Sequence, residues 1–125
     1  MIVGTGIDII EVPRLGAAIE RFGERFLQRI FTAAEIRYCE SKPNRVERYA
    51  ARFAAKEAAL KAIGTGWKCG VAWRDVEIRR ESGGRPAISF SGRAAEFAAQ
   101  LGMKRASLSI SHTPTQAIAQ VILED

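Results

Sequence analysis

Cysteine and histidine are scarce in this chain of 125 residues. The two cysteines, Cys39 and Cys69, lie far apart with no C-x-x-C motif, and His112 is the single histidine. Structural zinc sites take four Cys or His ligands, so these residues cannot form one. Two isolated cysteines are typical of reduced thiols in a protein that works in a reducing compartment.

Long apolar runs and the common catalytic signatures are absent as well. The apolar run at residues 1–10 contains Asp8, lacks a basic segment and is too short for a membrane span, so it predicts neither a signal peptide nor a membrane helix. The chain has no Walker A, H-E-x-x-H or G-x-S-x-G motif, which argues against the enzyme classes that carry them. We therefore expect a cytoplasmic protein that has no membrane partner.

What the chain does have is basic charge and enough apolar residues for a core. It carries 19 Lys plus Arg against 14 Asp plus Glu, a net charge of +5, and 47% hydrophobic residues. We expect one domain, residues 1–125. The basic balance favours an acidic partner: nucleic acid, an anionic membrane, a phosphorylated ligand or an acidic protein. Arginine outnumbers lysine, which favours forked contacts with phosphate or carboxylate.

Hydrophobic periodicity and turn residues predict an α+β fold, an antiparallel sheet with packed helices and one long central helix. The predicted order is β-α-α-α-β-β-α-β-β. Strands are predicted at residues 1–10 (buried), 73–80, 86–91, 106–111 and 116–123. Helices are predicted from Pro13 to a stop at Gly23, from Thr32 to Cys39, over residues 45–63 and over residues 92–101. Thr32, Asn44 and Ser91 are the expected helix caps.

The segment RFAAKEAALKA, residues 52–62, lies in the long helix. Helical spacing places Phe53, Glu57 and Lys61 on one face. Glu57 and Lys61 form either a surface ion pair at i,i+4 or part of a functional site. Asp8 raises a similar question, because a carboxylate in an apolar strand is costly unless it is solvated at the strand end, paired or bound to a metal.

Two rows of arginines are also visible, and each is either a solvated face or a binding surface. The row on the long helix is Arg45, Arg48 and Arg52, and the row on the first helix is Arg14, Arg21 and Arg25.

Three further features have both a structural and a functional interpretation. The Gly4-x-Gly6 spacing is weak evidence for a phosphate loop. Gly64 begins a Gly-rich turn that either caps the long helix or lets a ligand approach. Ser111 and His112 are adjacent in a predicted strand, so they point to opposite faces and cannot act as a nucleophile–base pair.

Taken together, these segments resemble the holo-(acyl-carrier-protein) synthases, the small bacterial 4′-phosphopantetheinyl transferases. The resemblance covers nearly the whole chain in order. It is carried by GID at 6–8, FTAAEIRYC at 31–39, RFAAKEAALKAIGTG at 52–66, DVEI at 75–78 and SISH at 109–112.

The resemblance implies transfer of 4′-phosphopantetheine from coenzyme A to a serine of an acyl carrier protein, with release of adenosine 3′,5′-bisphosphate, in support of fatty acid biosynthesis. It implies Mg²⁺ held by Asp8 and Glu57, and a homotrimer with active sites at subunit interfaces. Lys61 would neutralise the pyrophosphate, and either a metal-bound water or Glu57 would take the serine proton. The remaining implied contacts are Arg45 and Arg52 with the 3′-phosphate, Gly64 and His112 with the nucleotide, and Arg14, Arg21 and Arg25 with the acidic carrier protein.

Two rival interpretations come from other functional classes. A small RNA-binding module would suit the positive charge. However, the strands lack the aromatic and basic residues that stack bases, and Asp8 and Glu57 would repel phosphates, so no nucleic acid partner is expected. The second rival is a protein that binds coenzyme A without catalysis.

Overall fold

The computed structural model describes residues 1–125 and confirms an α+β fold. The strands are β1 (Ile2–Glu11), β2 (Val76–Arg80), β3 (Pro86–Phe90), β4 (Arg105–His112) and β5 (Gln116–Glu124). The helices are α1 (Val12–Phe22), α2 (Glu24–Ile30), α3 (Ala33–Glu40), α4 (Arg45–Ala62) and α5 (Gly92–Gln100). A short 3-10 helix at Trp73–Asp75 replaces the first residues of the strand predicted at 73–80, so β2 begins at Val76.

The strands form two antiparallel sheets rather than a single one. The larger sheet has the order β1-β5-β4, and the smaller is the β2-β3 hairpin. In the larger sheet Asp8 pairs with Ala119, and His112 pairs with Ala117. The central strand β5 therefore separates the strand that carries Asp8 from the strand that carries His112.

Helix α4 packs across one face of the three-stranded sheet, against β1 and β5. The approach to β1 is so close that a Cβ at Gly6 would lie 1.9 Å from the Ala58 carbonyl oxygen. A Cβ at Gly4 would lie 2.2 Å from the Ala62 carbonyl oxygen. These glycines are required by helix–sheet packing, so their interpretation as a phosphate loop is wrong.

Strand β1 was expected to be buried, and this is wrong for one of its faces. Helices cover only one side of the sheet, so alternate residues of β1 face outward. Ile7 and Ile9 are each 56% exposed, and Ile118 on β5 is also exposed. The outer sheet face therefore carries exposed, β-branched apolar side chains.

Helix capping follows the sequence at one position and departs from it at two. Thr32 and Glu35 form the predicted capping box. Asn44 does not cap α4, since its side-chain oxygen accepts a hydrogen bond from Arg48 Nε at 3.2 Å instead. Ser91 does not cap α5 either, where the Asp75 carboxylate accepts from the Ala94 amide.

The first helix ends where the sequence predicts. It ends at Gly23, whose φ of 65° interrupts the helical backbone, and α2 begins at the next residue. Phe22, the last residue of α1, continues the apolar spacing of Leu15 and Ile19 but is exposed. No helix in the structure is both long and apolar enough to cross a membrane.

Candidate active site

Three charged side chains converge where α4 crosses β1. Lys61 Nζ donates hydrogen bonds to Asp8 Oδ1 at 2.8 Å and to the Ile7 carbonyl oxygen at 3.0 Å. Glu57 lies one helical turn before Lys61. It is close enough to Asp8 for the charge of that carboxylate to raise its pKa. The alternative of a Glu57–Lys61 surface pair is not what the structure has, because Lys61 pairs with Asp8. The sequence-predicted residues Asp8, Glu57 and Lys61 are thus brought together.

The Glu57 carboxylate is destabilised in its ionised form. Burial raises the pKa of Glu57, the charge of Asp8 raises it further, and Lys61 opposes both effects. Two carboxylates at one point attract a cation. The structure has no group of three or more His, Cys, Asp or Glu side chains arranged for a metal. The pair suits Mg²⁺, which is commonly held by one or two carboxylates together with substrate phosphate oxygens and water.

A cavity of about 460 Å³ opens beside Glu57. Its other lining residues are Arg29, Trp67, Val71, Ala72 and Trp73. Phe53, on the same flank of α4, packs against Trp73 with ring centroids 5.3 Å apart. The carboxylate therefore faces a space with largely apolar walls and an arginine.

A buried ion pair that sequence analysis missed involves Lys56, the residue before Glu57 on α4. Lys56 Nζ is 2.8 Å from Glu35 Oε1, and both side chains are fully buried. Lys56 also donates to the carbonyl oxygens of Trp73 and Val76. Burial lowers the pKa of Lys56, and Glu35 works against that shift. The pair ties α3, α4 and the Trp73 wall together, and a capping glutamate gives no sequence signal for such a distant lysine.

A second, strongly basic cavity opens on the other flank of α4. Arg52 and Glu57 are five positions apart, which corresponds to about 140° around the helix. The cavity measures about 250 Å³ and shares no lining residue with the one beside Glu57. Its basic lining residues are Arg48, Arg52, Arg79, Arg80 and His112.

Two residues of this basic cavity have unusual surroundings. Arg52 is only 5% exposed, and its guanidinium carbon lies 4.0 Å from the centroid of the Tyr38 ring. Its Nε has no hydrogen-bond partner. His112 Nδ1 is 3.3 Å from Glu47 Oε1, so the histidine joins β4 to the start of α4.

The remaining predicted nucleotide contacts are not in this cavity. Arg45 pairs with Glu40 at 3.0 Å and lines a separate cavity beside α1 and α2. Gly64 has a φ of 83° just past the end of α4, and it is not among the residues that line the cavity of His112. The structure thus brings Arg52 and His112 together in one protomer, but not Arg45 or Gly64.

The three arginines of the first helical region are exposed and lie on neighbouring surfaces. Arg21 and Arg25 line a cavity of about 690 Å³ together with Phe22, Phe26 and Arg29. Arg14 lines another cavity, of about 320 Å³, whose wall includes Phe26 and Phe53. Phe53 lies one turn from Glu57, so this surface borders the flank that carries the acidic pair.

Known proteins match this chain over its full length. The profile of the 4′-phosphopantetheinyl transferase superfamily matches residues 4–120. A holo-(acyl-carrier-protein) synthase of Koribacter versatilis is 66% identical over 125 residues, which is 100% of both chains. The crystal structure of the Neisseria meningitidis synthase superposes with a TM-score of 0.89 at 35% identity, covering 100% of both chains.

A third match was solved with a ligand. The Helicobacter pylori holo-(acyl-carrier-protein) synthase in complex with coenzyme A has a TM-score of 0.84 and 32% identity, covering 96% of this chain and 99% of that one. Sequence, fold and the convergence of Asp8, Glu57 and Lys61 agree. The chain belongs to the 4′-phosphopantetheinyl transferase superfamily.

Proposed function

We propose that this chain, as one domain over residues 1–125, is a holo-(acyl-carrier-protein) synthase of the cytoplasm. It transfers 4′-phosphopantetheine from coenzyme A to a serine of apo-acyl carrier protein, releases adenosine 3′,5′-bisphosphate and so supports fatty acid biosynthesis. The observation that carries the proposal is the convergence of Asp8, Glu57 and Lys61. Phosphoryl transfer needs positioning and charge neutralisation at one point, and these residues supply both.

Asp8 and Glu57 are the residues that would hold Mg²⁺, with coenzyme A as the co-substrate. When bound, Mg²⁺ would neutralise charge on the phosphate oxygens. Lys61, held by Asp8, contributes a second positive charge for the pyrophosphate. Either Glu57 or a water held by the metal would accept the proton of the carrier serine.

The basic cavity is the proposed binding site for the nucleotide phosphates. Arg52 and His112 line it together with Arg48, which is better placed than Arg45 for this role. Arg45 would have to exchange Glu40 for a phosphate before it could contribute. Guanidinium groups suit phosphate because they donate paired hydrogen bonds.

Asp8, Glu57 and Lys61 together are called the acidic group. Catalysis requires the acidic group and the basic cavity to act on one molecule of coenzyme A. In a single protomer they open on opposite flanks of α4, separated by a helix about 10 Å across with its side chains. We propose that each active site combines the acidic group of one protomer with the basic cavity of its partner in a homotrimer. Gly64 would reach the nucleotide in the same way. The exposed isoleucines of the outer sheet face support such an assembly.

Mass spectrometry of a purified apo-acyl carrier protein tests the activity. Incubation with coenzyme A, Mg²⁺ and this chain should add the mass of one phosphopantetheine to the carrier, and replacing the carrier's acceptor serine by alanine should abolish the gain. A protein that only binds coenzyme A would leave the carrier mass unchanged, and that result would contradict the proposal.

A further inference from the structure

Arg52 has no counter-charge within the chain. It forms no ion pair, and its Nε is the single buried side-chain nitrogen or oxygen that lacks a hydrogen-bond partner. Buried charges in proteins are normally paired and hydrogen-bonded. A buried guanidinium that faces a cavity with four other basic side chains is therefore suited to an anion that enters from outside.

The contact that holds Arg52 is the ring of Tyr38 on α3. The guanidinium lies over the ring at 4.0 Å from its centroid, a cation–π geometry. The hydroxyl of the same tyrosine accepts a hydrogen bond from Arg80 Nη1 at 2.9 Å, and Arg80 Nη2 donates to the Gly84 carbonyl oxygen at 2.9 Å. Tyr38 thus fixes two cavity arginines, one on α4 and one on β2, without lining the cavity itself.

A tyrosine at this position has a consequence that a carboxylate would not have. An aspartate or glutamate would hold the arginines but would cancel their charge. The neutral ring and hydroxyl orient both guanidinium groups and leave their positive charge available to a ligand. The positive charge of the arginines around Tyr38 is also visible in the pKa of its phenol. Burial raises the pKa of Tyr38, but the hydrogen bond and charge of Arg80, with Arg48 and Arg52, outweigh burial and lower it.

We propose that Tyr38 is a positioning residue that prepares Arg52 and Arg80 to bind the phosphate groups of the coenzyme A nucleotide. This inference rests on the proposed function, because it takes that nucleotide as the ligand of the basic cavity. Tyr38 does not line the cavity, so its effect should appear in nucleotide affinity and not in the chemical step.

The test is calorimetric titration of adenosine 3′,5′-bisphosphate into the wild-type protein, Tyr38→Leu and Tyr38→Phe, with steady-state kinetics for both substrates. Tyr38→Leu removes both contacts and should weaken nucleotide binding about tenfold. The Michaelis constant for coenzyme A should rise with it, while kcat and the constant for the carrier stay within about twofold. Tyr38→Phe keeps the ring under Arg52, so it should recover most of the affinity and lose only about two- to threefold.

Tyr49→Phe is the matched control. Tyr49 is the other tyrosine, and its hydroxyl bonds to Glu40 away from the basic cavity. A purely structural role for Tyr38 would lower its melting temperature as Tyr49→Phe does and leave nucleotide affinity unchanged, and that result overturns the inference. If Tyr38→Leu does not fold, unchanged affinity in Tyr38→Phe overturns it equally. A wild-type protein that neither binds the bisphosphate nor modifies the carrier would overturn the proposed function instead.

Discussion

At the scale of single residues, Asp8 and Glu57 carry the proposed metal-binding role. Asp8→Asn and Glu57→Gln each remove one charge from the proposed Mg²⁺ site. Each should lower turnover at limiting Mg²⁺ about a hundredfold while the fold is retained. Steady-state kinetics and circular dichroism check this. Wild-type turnover in both variants would show that the carboxylates do not hold the metal.

Glu57→Gln should also make the protein more stable at neutral pH. The raised pKa of Glu57 means that the folded state binds its proton more tightly than the unfolded state does. Stability therefore falls as the pH rises from the ordinary glutamate pKa through the raised value, and the full penalty is present above it. Glutamine cannot ionise, so the variant lacks this penalty. Greater stability with lower activity is typical of a functional residue.

The two tyrosines should titrate far apart in alkaline solution. The pKa of Tyr38 is lowered by its arginines, which outweigh burial, whereas burial and then the hydrogen bond to Glu40 raise the pKa of Tyr49 strongly. Ultraviolet absorbance of tyrosinate should show one step below pH 10 and no second step until the protein unfolds. Tyr38→Phe should remove the first step. Two equal steps near the ordinary pKa would contradict the arginine cluster around Tyr38.

At the scale of secondary-structure elements, α1 and α2 form the surface proposed for the acidic carrier protein. Arg14→Glu should raise the Michaelis constant for the carrier about tenfold, more at low salt, because charge contacts of this kind act mainly on association. Coenzyme A kinetics should be nearly unchanged. The matched control is Lys104→Glu, the same charge change at the opposite end of the sheet. Unchanged carrier kinetics in Arg14→Glu, or an equal effect of both variants, would show that Arg14 is a solvated surface residue that does not bind the carrier.

The sequence predicted the elements well because local patterns determine them. The Thr32–Glu35 box, the long alanine-rich helix and the Ser-rich strand β4 were all visible in the order of residues. The acidic group was also predicted, since helical spacing and the resemblance both singled out Glu57 and Lys61.

What the sequence did not predict depends on contacts between distant segments. Lys56 lies next to Glu57 in a familiar motif, but nothing in its neighbours shows that Glu35 is its buried partner. The tyrosine under Arg52 likewise belongs to a different helix. The apolar residues of β1 suggested a buried strand, because the sequence does not show that only one face of its sheet is covered.

At the scale of the whole molecule, the exposed outer face of the larger sheet is the proposed surface of assembly. Sedimentation velocity at assay concentration should find a species of three times the 13.7 kDa chain mass. Ile118→Lys places a charge on this face, where the side chain is already exposed. It should leave the monomer folded but dissociated and inactive. A fully active monomer, of either the wild type or this variant, would exclude shared active sites.

In the proposed trimer, one active site takes Asp8, Glu57 and Lys61 from one protomer and its nucleotide cavity from another. Mixing two inactive variants distinguishes a shared site from a site built within one protomer. Glu57→Gln retains an intact basic cavity, and Arg48→Glu retains an intact acidic group. When equal amounts are unfolded and refolded together, about a quarter of the interfaces should combine the two intact halves.

Transfer of phosphopantetheine to the carrier should therefore return to about a quarter of the wild-type rate in the mixture, while each variant alone stays inactive. Mixing Glu57→Gln with Asp8→Asn is the control and should restore nothing, because both changes fall on the acidic side. Native mass spectrometry verifies that mixed assemblies form. Mixed assemblies of Glu57→Gln and Arg48→Glu that remain inactive would contradict the shared site.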